Sequence, residues 1–223
     1  LVEQAKKLSQ VELSRLMKLS GKLTDLNFQR FKAYSPPFTK LNAKQAALAF
    51  NGDTYVGLDA PSLSEGDLIY AQDHLRILSG LYGLLRPLDL IQPYRLEMGS
   101  RLQNPEGEDL YEFWGDDLAH AIDEIVSTHT DPVVINLASN EYFKAARPKT
   151  IQRRVVTPVF KEVKDGVAKV LGLFAKRARG CMARYIIANR IESSEKLKKF
   201  SIDGYAFQDA LSNEDTWVFT RQR

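Results

Sequence analysis

The 223 residues predict an α+β (mixed α/β) fold: one compact domain with a central mixed sheet and surrounding helices. Three observations carry this expectation. VVINLAS (133–139) is an apolar, β-branched run of strand length, and NEYFKAA follows it as a short helix. Asp165-Gly166 divides two partly alternating runs, the mark of a two-residue β-hairpin. Amphipathic helical stretches surround these in no regular βαβ order, which favours α+β over a doubly wound sheet.

The elements follow in order. Residues 1–34 place apolar side chains at helical spacing, with a stop at Ser20-Gly21 and a break at Tyr34-Ser35-Pro36-Pro37. AKQAALAFNGDTY reads as a short buried strand, with helix as the alternative. Ser64 caps a helix over about Glu65 to Leu78, with Asp67 completing a weak capping box and Gly80 ending it. Residues 81–107 read as irregular. LYEFWGDDLAHAIDEIVSTH (110–129) is an amphipathic helix, stopped by Asp131-Pro132. FAKRARGCMARYIIANRI is a helix, SSEKLKKF a short one, and YAF and TWVFTR are closing strands. No repeat, low-complexity tract or linker interrupts 1–223, so a single domain is expected.

Composition narrows the classes. One cysteine, Cys181, excludes an internal disulfide framework and suits a reducing compartment. No apolar run approaches the roughly 20 residues of a membrane span, and no basic-then-apolar leader is present. The chain opens at Leu1 rather than Met, so a preceding or processed segment is expected.

Charge is unevenly spread. Lys144 to Arg190 holds thirteen Lys/Arg against Glu162 and Asp165, a net +11, while the rest carries −8 to give the overall +3. Such asymmetry points to a polyanion partner, or to a basic segment paired with acidic neighbours. On a helical wheel, Lys176, Arg177, Arg179, Arg184 and Arg190 share an arc of roughly 160°. Ile187 and Ile191 intrude on that arc. A cationic stripe suits phosphates, because each Lys or Arg that neutralises one releases counterion. An anionic membrane surface is the lesser option, since the apolar face is needed for the core.

ILSGLYGLLRP (77–87) has the outline of a helix–hairpin–helix, in which glycine lets backbone N–H groups approach phosphate. The fit is partial. Gly80 and Gly83 are spaced G-x-x-G rather than G-x-G, and Arg86-Pro87 disfavours a second helix. A glycine-capped turn is the alternative. Arg86, Arg95 and Arg101 add cations nearby, or form ion pairs with Asp89 and Glu97.

Catalytic signals are thin. His74, His120 and His129 have no ligand partner at metal-type spacing, so no metal site is expected. No Walker loop, GxSxG or dinucleotide fingerprint occurs. Cys181 reads as a buried structural thiol rather than a reactive one. The best enzyme hint is NLASNEYFK (136–144), where Glu141 and Lys144 crowd a strand end. There Ser139 or Asn140 also has a sufficient role as a helix cap.

Together these stretches resemble the YaaA family of bacterial peroxide-stress resistance proteins. The resemblance rests on LRILSGLYGLLRPLDLIQPYRLEMGSRL (75–102), LYEFWGD (110–116), VVINLASNEYFK (133–144) and FAKRARGCMARYII (174–187), and covers essentially the whole chain. It implies a cytoplasmic protein of the hydrogen peroxide response, linked to limiting free iron and Fenton damage to DNA. It implies binding to duplex and branched DNA without a sequence code, with no cofactor and no established reaction. It implies a positively charged cleft and a helix–hairpin–helix element, placed here at Leu78 to Leu84. The expected phosphate contacts are Gly80, Gly83, Arg86, Arg95, Lys144, Lys176, Arg177, Arg179, Arg184 and Arg190, with Arg147, Lys149, Arg153 and Arg154 extending the wall. The alternative is an enzyme acting on a nucleotide or nucleic-acid end near Glu141 and Lys144. Family members open with a strand carrying an S-P-A-K-type motif, and this sequence begins beyond it.

Overall fold

The computed structural model describes residues 1–223. The chain opens with α1 (Val2–Lys7), α2 (Gln10–Met17) and α3 (Gly21–Ala33). Ser9 starts α2 with a full capping box: its hydroxyl accepts from Glu12 N–H, and the Glu12 carboxylate accepts from Ser9 N–H. The segment expected as a short strand or a helix takes mainly the helical alternative: β1 (Lys44–Gln45) leads into α4 (Ala46–Ala49) and α5 (Asp53–Leu58). Its Ala-rich centre favours helix once the flanking residues are buried.

α6 (Glu65–His74) begins at the Ser64–Asp67 capping box, as expected, but stops at His74. Gly80 therefore does not cap it. Ile77–Leu85 is a β-hairpin, with β2 (Ile77–Ser79) antiparallel to β3 (Gly83–Leu85). This corrects the helix–hairpin–helix placed at Leu78 to Leu84. The reason is burial on both faces. Ile77 and Leu85 join one core cluster, while Leu78 and Leu84 pack on another. A period of two serves that geometry and a helix does not.

β4 (Leu90–Ile91) pairs with β1. The expected 110–129 helix is two, α7 (Leu110–Trp114) and α8 (Asp117–Val126), broken where Gly115 takes φ 48°. Then come β5 (Val133–Ile135), α9 (Asn140–Ala145), β6 (Arg154–Lys164), β7 (Val167–Lys169), α10 (Gly172–Ala188), β8 (Ala206–Phe207) and β9 (Thr216–Gln222). Ser194–Lys199 forms a short 3₁₀ turn.

The main sheet is mixed, as expected. Its order is β5-β6-β9-β8, with β7 also on β6. β6 is parallel to both β5 and β9, and its burial alternates along its length. Asp165 (φ 52°) and Gly166 (φ 76°) make the β6–β7 turn with two positive φ values, the geometry of a type I′ hairpin. β5 is an outer strand, and its edge away from β6 has no strand partner.

α10 lies between two core clusters. Ala178, Cys181 and Met182 face the sheet, whereas Ala183 and Ile187 join the core of α4, α5 and the hairpin. This explains why Ile187 interrupts the cationic arc. The helix is buried on two sides, not one. Gly57 and Gly180 allow α5 and α10 to touch backbone to backbone. A Cβ on Gly180 would strike the Thr54 carbonyl, and one on Gly57 the Arg177 carbonyl. No helix is long and apolar enough to cross a membrane.

Candidate nucleic-acid interface

The hairpin tip is closed to any phosphate. Gly80 and Gly83 are both buried. A Cβ on Gly80 would sit 2.6 Å from the Leu96 carbonyl oxygen, and one on Gly83 would sit 2.7 Å from the Trp114 ring. Trp114 Nε1 donates to the Gly80 carbonyl at 3.1 Å. The N–H groups of Leu81 and Tyr82 donate to Ser79 Oγ. The two glycines serve close packing, and the Leu81 and Tyr82 donors at the tip are used internally.

The cations are mostly paired. Arg86 holds Asp89 at 3.0 Å, Arg95 holds Glu97 at 2.7 Å and Arg101 holds Glu108 at 3.4 Å. In the α10 stripe, Arg177 meets Asp203 at 3.3 Å and Arg190 meets Asp67 at 2.7 Å. Arg184 is the most committed. Its Nη1 donates to the carbonyls of Leu58 (3.1 Å) and Asp59 (2.9 Å) and lies 3.6 Å from the Asp59 carboxylate. In the second basic segment, Arg147 pairs with Asp116 and Arg154 with Asp215. Lys149 and Arg153 are exposed with no carboxylate partner, and Lys144 Nζ lies 4.3 Å from the Tyr111 ring centre.

Lys176 and Arg179 differ from their neighbours. Neither has a carboxylate partner, although Arg179 is half-buried. Arg179 Nε donates to the Ala175 carbonyl one turn back, and burial alone lowers its pKa. Both side chains line a cleft of about 1200 Å³ that runs beside β5 and β6. α10 starts there without a side-chain cap and with no acid in its first turn. Its free N–H groups and dipole therefore add to the positive field of Lys176 and Arg179.

The cleft as a whole is not basic, which corrects the expected positively charged cleft. Arg76, Lys176 and Arg179 face Asp53, Glu97, Asp131, Glu141 and Glu192 around its walls. Its floor is apolar, with Val133, Ile135 and Val159 among the lining residues. Tyr55, Tyr94 and Tyr142 also line it. Burial raises the pKa of all three hydroxyls, that of Tyr142 to about 12, so they stay protonated.

The enzyme hint is weakened by the geometry. Ser139 caps α9, its hydroxyl accepting from Tyr142 N–H. Glu141 is exposed at the cleft rim, where its Oε1 accepts from Gly99 N–H at 2.9 Å. Lys144 turns to Tyr111 instead of to Glu141. Cys181 is buried, and desolvation raises its pKa, which keeps it a thiol.

The histidines, expected to stand alone, do not all do so. His120 is exposed on α8, but His74 and His129 meet Glu192 in the lining of the cleft. Ligand spacing within one element had nothing to report, because the three residues come from three separate segments.

The fold and site thus define an α+β protein with a mixed sheet, a central helix carrying cations, and a deep cleft beside an open strand edge. Residues 1–211 match the family model described as peroxide stress protein YaaA, and the chain belongs to that family. Among curated relatives, a UPF0246 protein of Ralstonia pickettii is 56% identical over 222 residues, covering 100% of this chain and 86% of the relative. UPF0246 proteins of Ralstonia nicotianae and Burkholderia mallei are each 54% identical, with the same coverage.

Proposed function

We propose that this YaaA-family chain acts in the peroxide stress response by binding DNA in the cytoplasm, through sequence-tolerant phosphate contacts that limit peroxide and iron damage. The carrying observation is Arg179. A half-buried guanidinium with no carboxylate partner is costly unless an anion comes to it. Lys176, one turn earlier, and the uncapped start of α10 supply the rest of a phosphate seat.

Other cations join at the rim. Arg177 and Arg190 form exposed ion pairs, which are worth about 0–1 kcal/mol and so exchange readily for a phosphate. Lys149 and Arg153 extend the surface. Arg184 holds α10 to the end of α5 and contributes little. Because five carboxylates line the cleft, the duplex crosses its α10 rim and does not enter it. Phosphate contacts position a duplex without reading its bases, hence the tolerance of sequence. The free edge of β5 is the seat an extended segment, such as the family's opening strand, would take, narrowing the cleft beneath that rim.

The test is binding to short labelled duplex, junction and single-stranded DNA across a salt series, with and without that opening segment. Salt-sensitive binding on every duplex sequence supports the reading. No binding at low salt in either form overturns it.

A further inference from the structure

Three ligand-type side chains from distant parts of the sequence converge in the lining of the cleft. His74 is the last residue of α6, His129 follows α8, and Glu192 follows α10. Their ligand atoms all lie within 4.8 Å of one another. His74 Nε2 is 3.4 Å from Glu192 Oε1, and the two imidazole centres are 4.7 Å apart at 72°.

The surroundings fix how His74 presents itself. Its Nδ1 lies 2.8 Å from the Tyr70 carbonyl oxygen. A carbonyl only accepts, so Nδ1 carries the proton and the neutral ring's lone pair sits on Nε2, facing the cluster. Metal-binding histidines are oriented in this way, by a hydrogen bond from the nitrogen that does not ligate. The Tyr70 ring stacks on His74 at 3.7 Å, and its hydroxyl donates to the Ile191 carbonyl at 2.8 Å. One tyrosine thereby steadies both His74 and the backbone next to Glu192. His74, His129 and Glu192 all line the cleft, which gives an ion a way in.

We propose that His74, His129 and Glu192 form a three-ligand site for a divalent transition-metal ion, with an open coordination position toward the cleft. Two imidazole nitrogens and one carboxylate suit Zn²⁺, Fe²⁺ or Co²⁺ rather than Mg²⁺ or Ca²⁺, which prefer all-oxygen sets. Bonds of about 2.0–2.2 Å place ligand atoms roughly 3–3.5 Å apart, so the cluster contracts on binding. Exposed Glu192 is free to make that movement. The site shares the cleft with Lys176 and Arg179 but uses none of the proposed phosphate contacts and does not depend on them.

The test is titration of chelator-treated protein with Co²⁺, followed by visible absorption, and with Zn²⁺, followed by calorimetry. The expected result is one ion per chain, no comparable Mg²⁺ binding, and at least about 100-fold weaker binding in His129→Ala and Glu192→Gln. Thermal melts in chelator confirm that both variants are folded, and Zn²⁺ raises the melting temperature of the wild type alone. Absence of stoichiometric binding by the wild type overturns the site. So does wild-type affinity in both folded variants.

Discussion

Arg190 Nη1 lies 2.7 Å from Asp67 Oδ1, so the residue just past α10 is tied to the capping box that starts α6. The same carboxylate accepts from Ser64, which makes it a shared acceptor for a helix start and a cation. Asp67→Asn removes the charge and releases Arg190. Duplex binding is expected to tighten because Arg190 no longer trades an ion pair for its phosphate, while the salt slope, which already includes Arg190, stays the same. Fluorescence anisotropy across a salt series reads this. Unchanged affinity would mean that Arg190 does not reach DNA.

Acid should loosen the fold through two such carboxylates. The Ser64 hydroxyl, then Arg190, hold Asp67 below its ordinary 3.8, and Arg147 does the same for Asp116. A lowered carboxylate stabilises the fold above its unfolded pKa, and the gain is lost as pH falls through the lower folded value. Melting temperature should therefore hold from pH 6 to about 4 and drop below that. The double variant Asp67→Asn/Asp116→Asn should show a shallower acid limb. Equal limbs would remove these two groups from the account.

Gly180→Ala tests the contact that positions the cationic helix. The added methyl meets the Thr54 carbonyl and lies 2.7 Å from Leu58 N, both backbone and neither able to step aside. Overpacking of this kind costs about 1–3 kcal/mol, seen as a lower midpoint in urea. Wild-type stability would show that α5 and α10 separate without penalty.

Glu162 is buried between β9 and the 3₁₀ turn at Ile202–Gly204. It accepts from Tyr205 Oη at 2.5 Å and from Arg221 Nε at 2.9 Å. Glu162→Gln keeps the shape but removes the carboxylate that Arg221 and Tyr205 both donate to, which should cost about 1.5–3 kcal/mol. Denaturant unfolding measures it. A loss below about 1 kcal/mol would mean that water reaches the pair.

Much of the sheet was legible because its signals are local. The β-branched run at 133–135, the Asp165-Gly166 turn and the closing strands each carry their own pattern. The hairpin at Ile77–Leu85 was not, since an apolar run buried on both faces has the same composition as a helix turn. Charge pairing was hidden for another reason. Asp203, Asp59 and Asp67 reach Arg177, Arg184 and Arg190 from remote segments, so a wheel of α10 shows the cations without their partners. The His74, His129 and Glu192 cluster exists only once α6, α8 and α10 are brought together, and no spacing within one element announces it.

The central claim is that the unpaired pair on α10 holds phosphate. Its most direct test is duplex affinity against salt for the wild type and for Lys176→Ala/Arg179→Ala, with a melt to confirm folding. Two lost contacts should flatten the slope of log K against log salt by about 1.8 and weaken binding alike on every sequence. An unchanged slope and affinity in the folded double variant would contradict it.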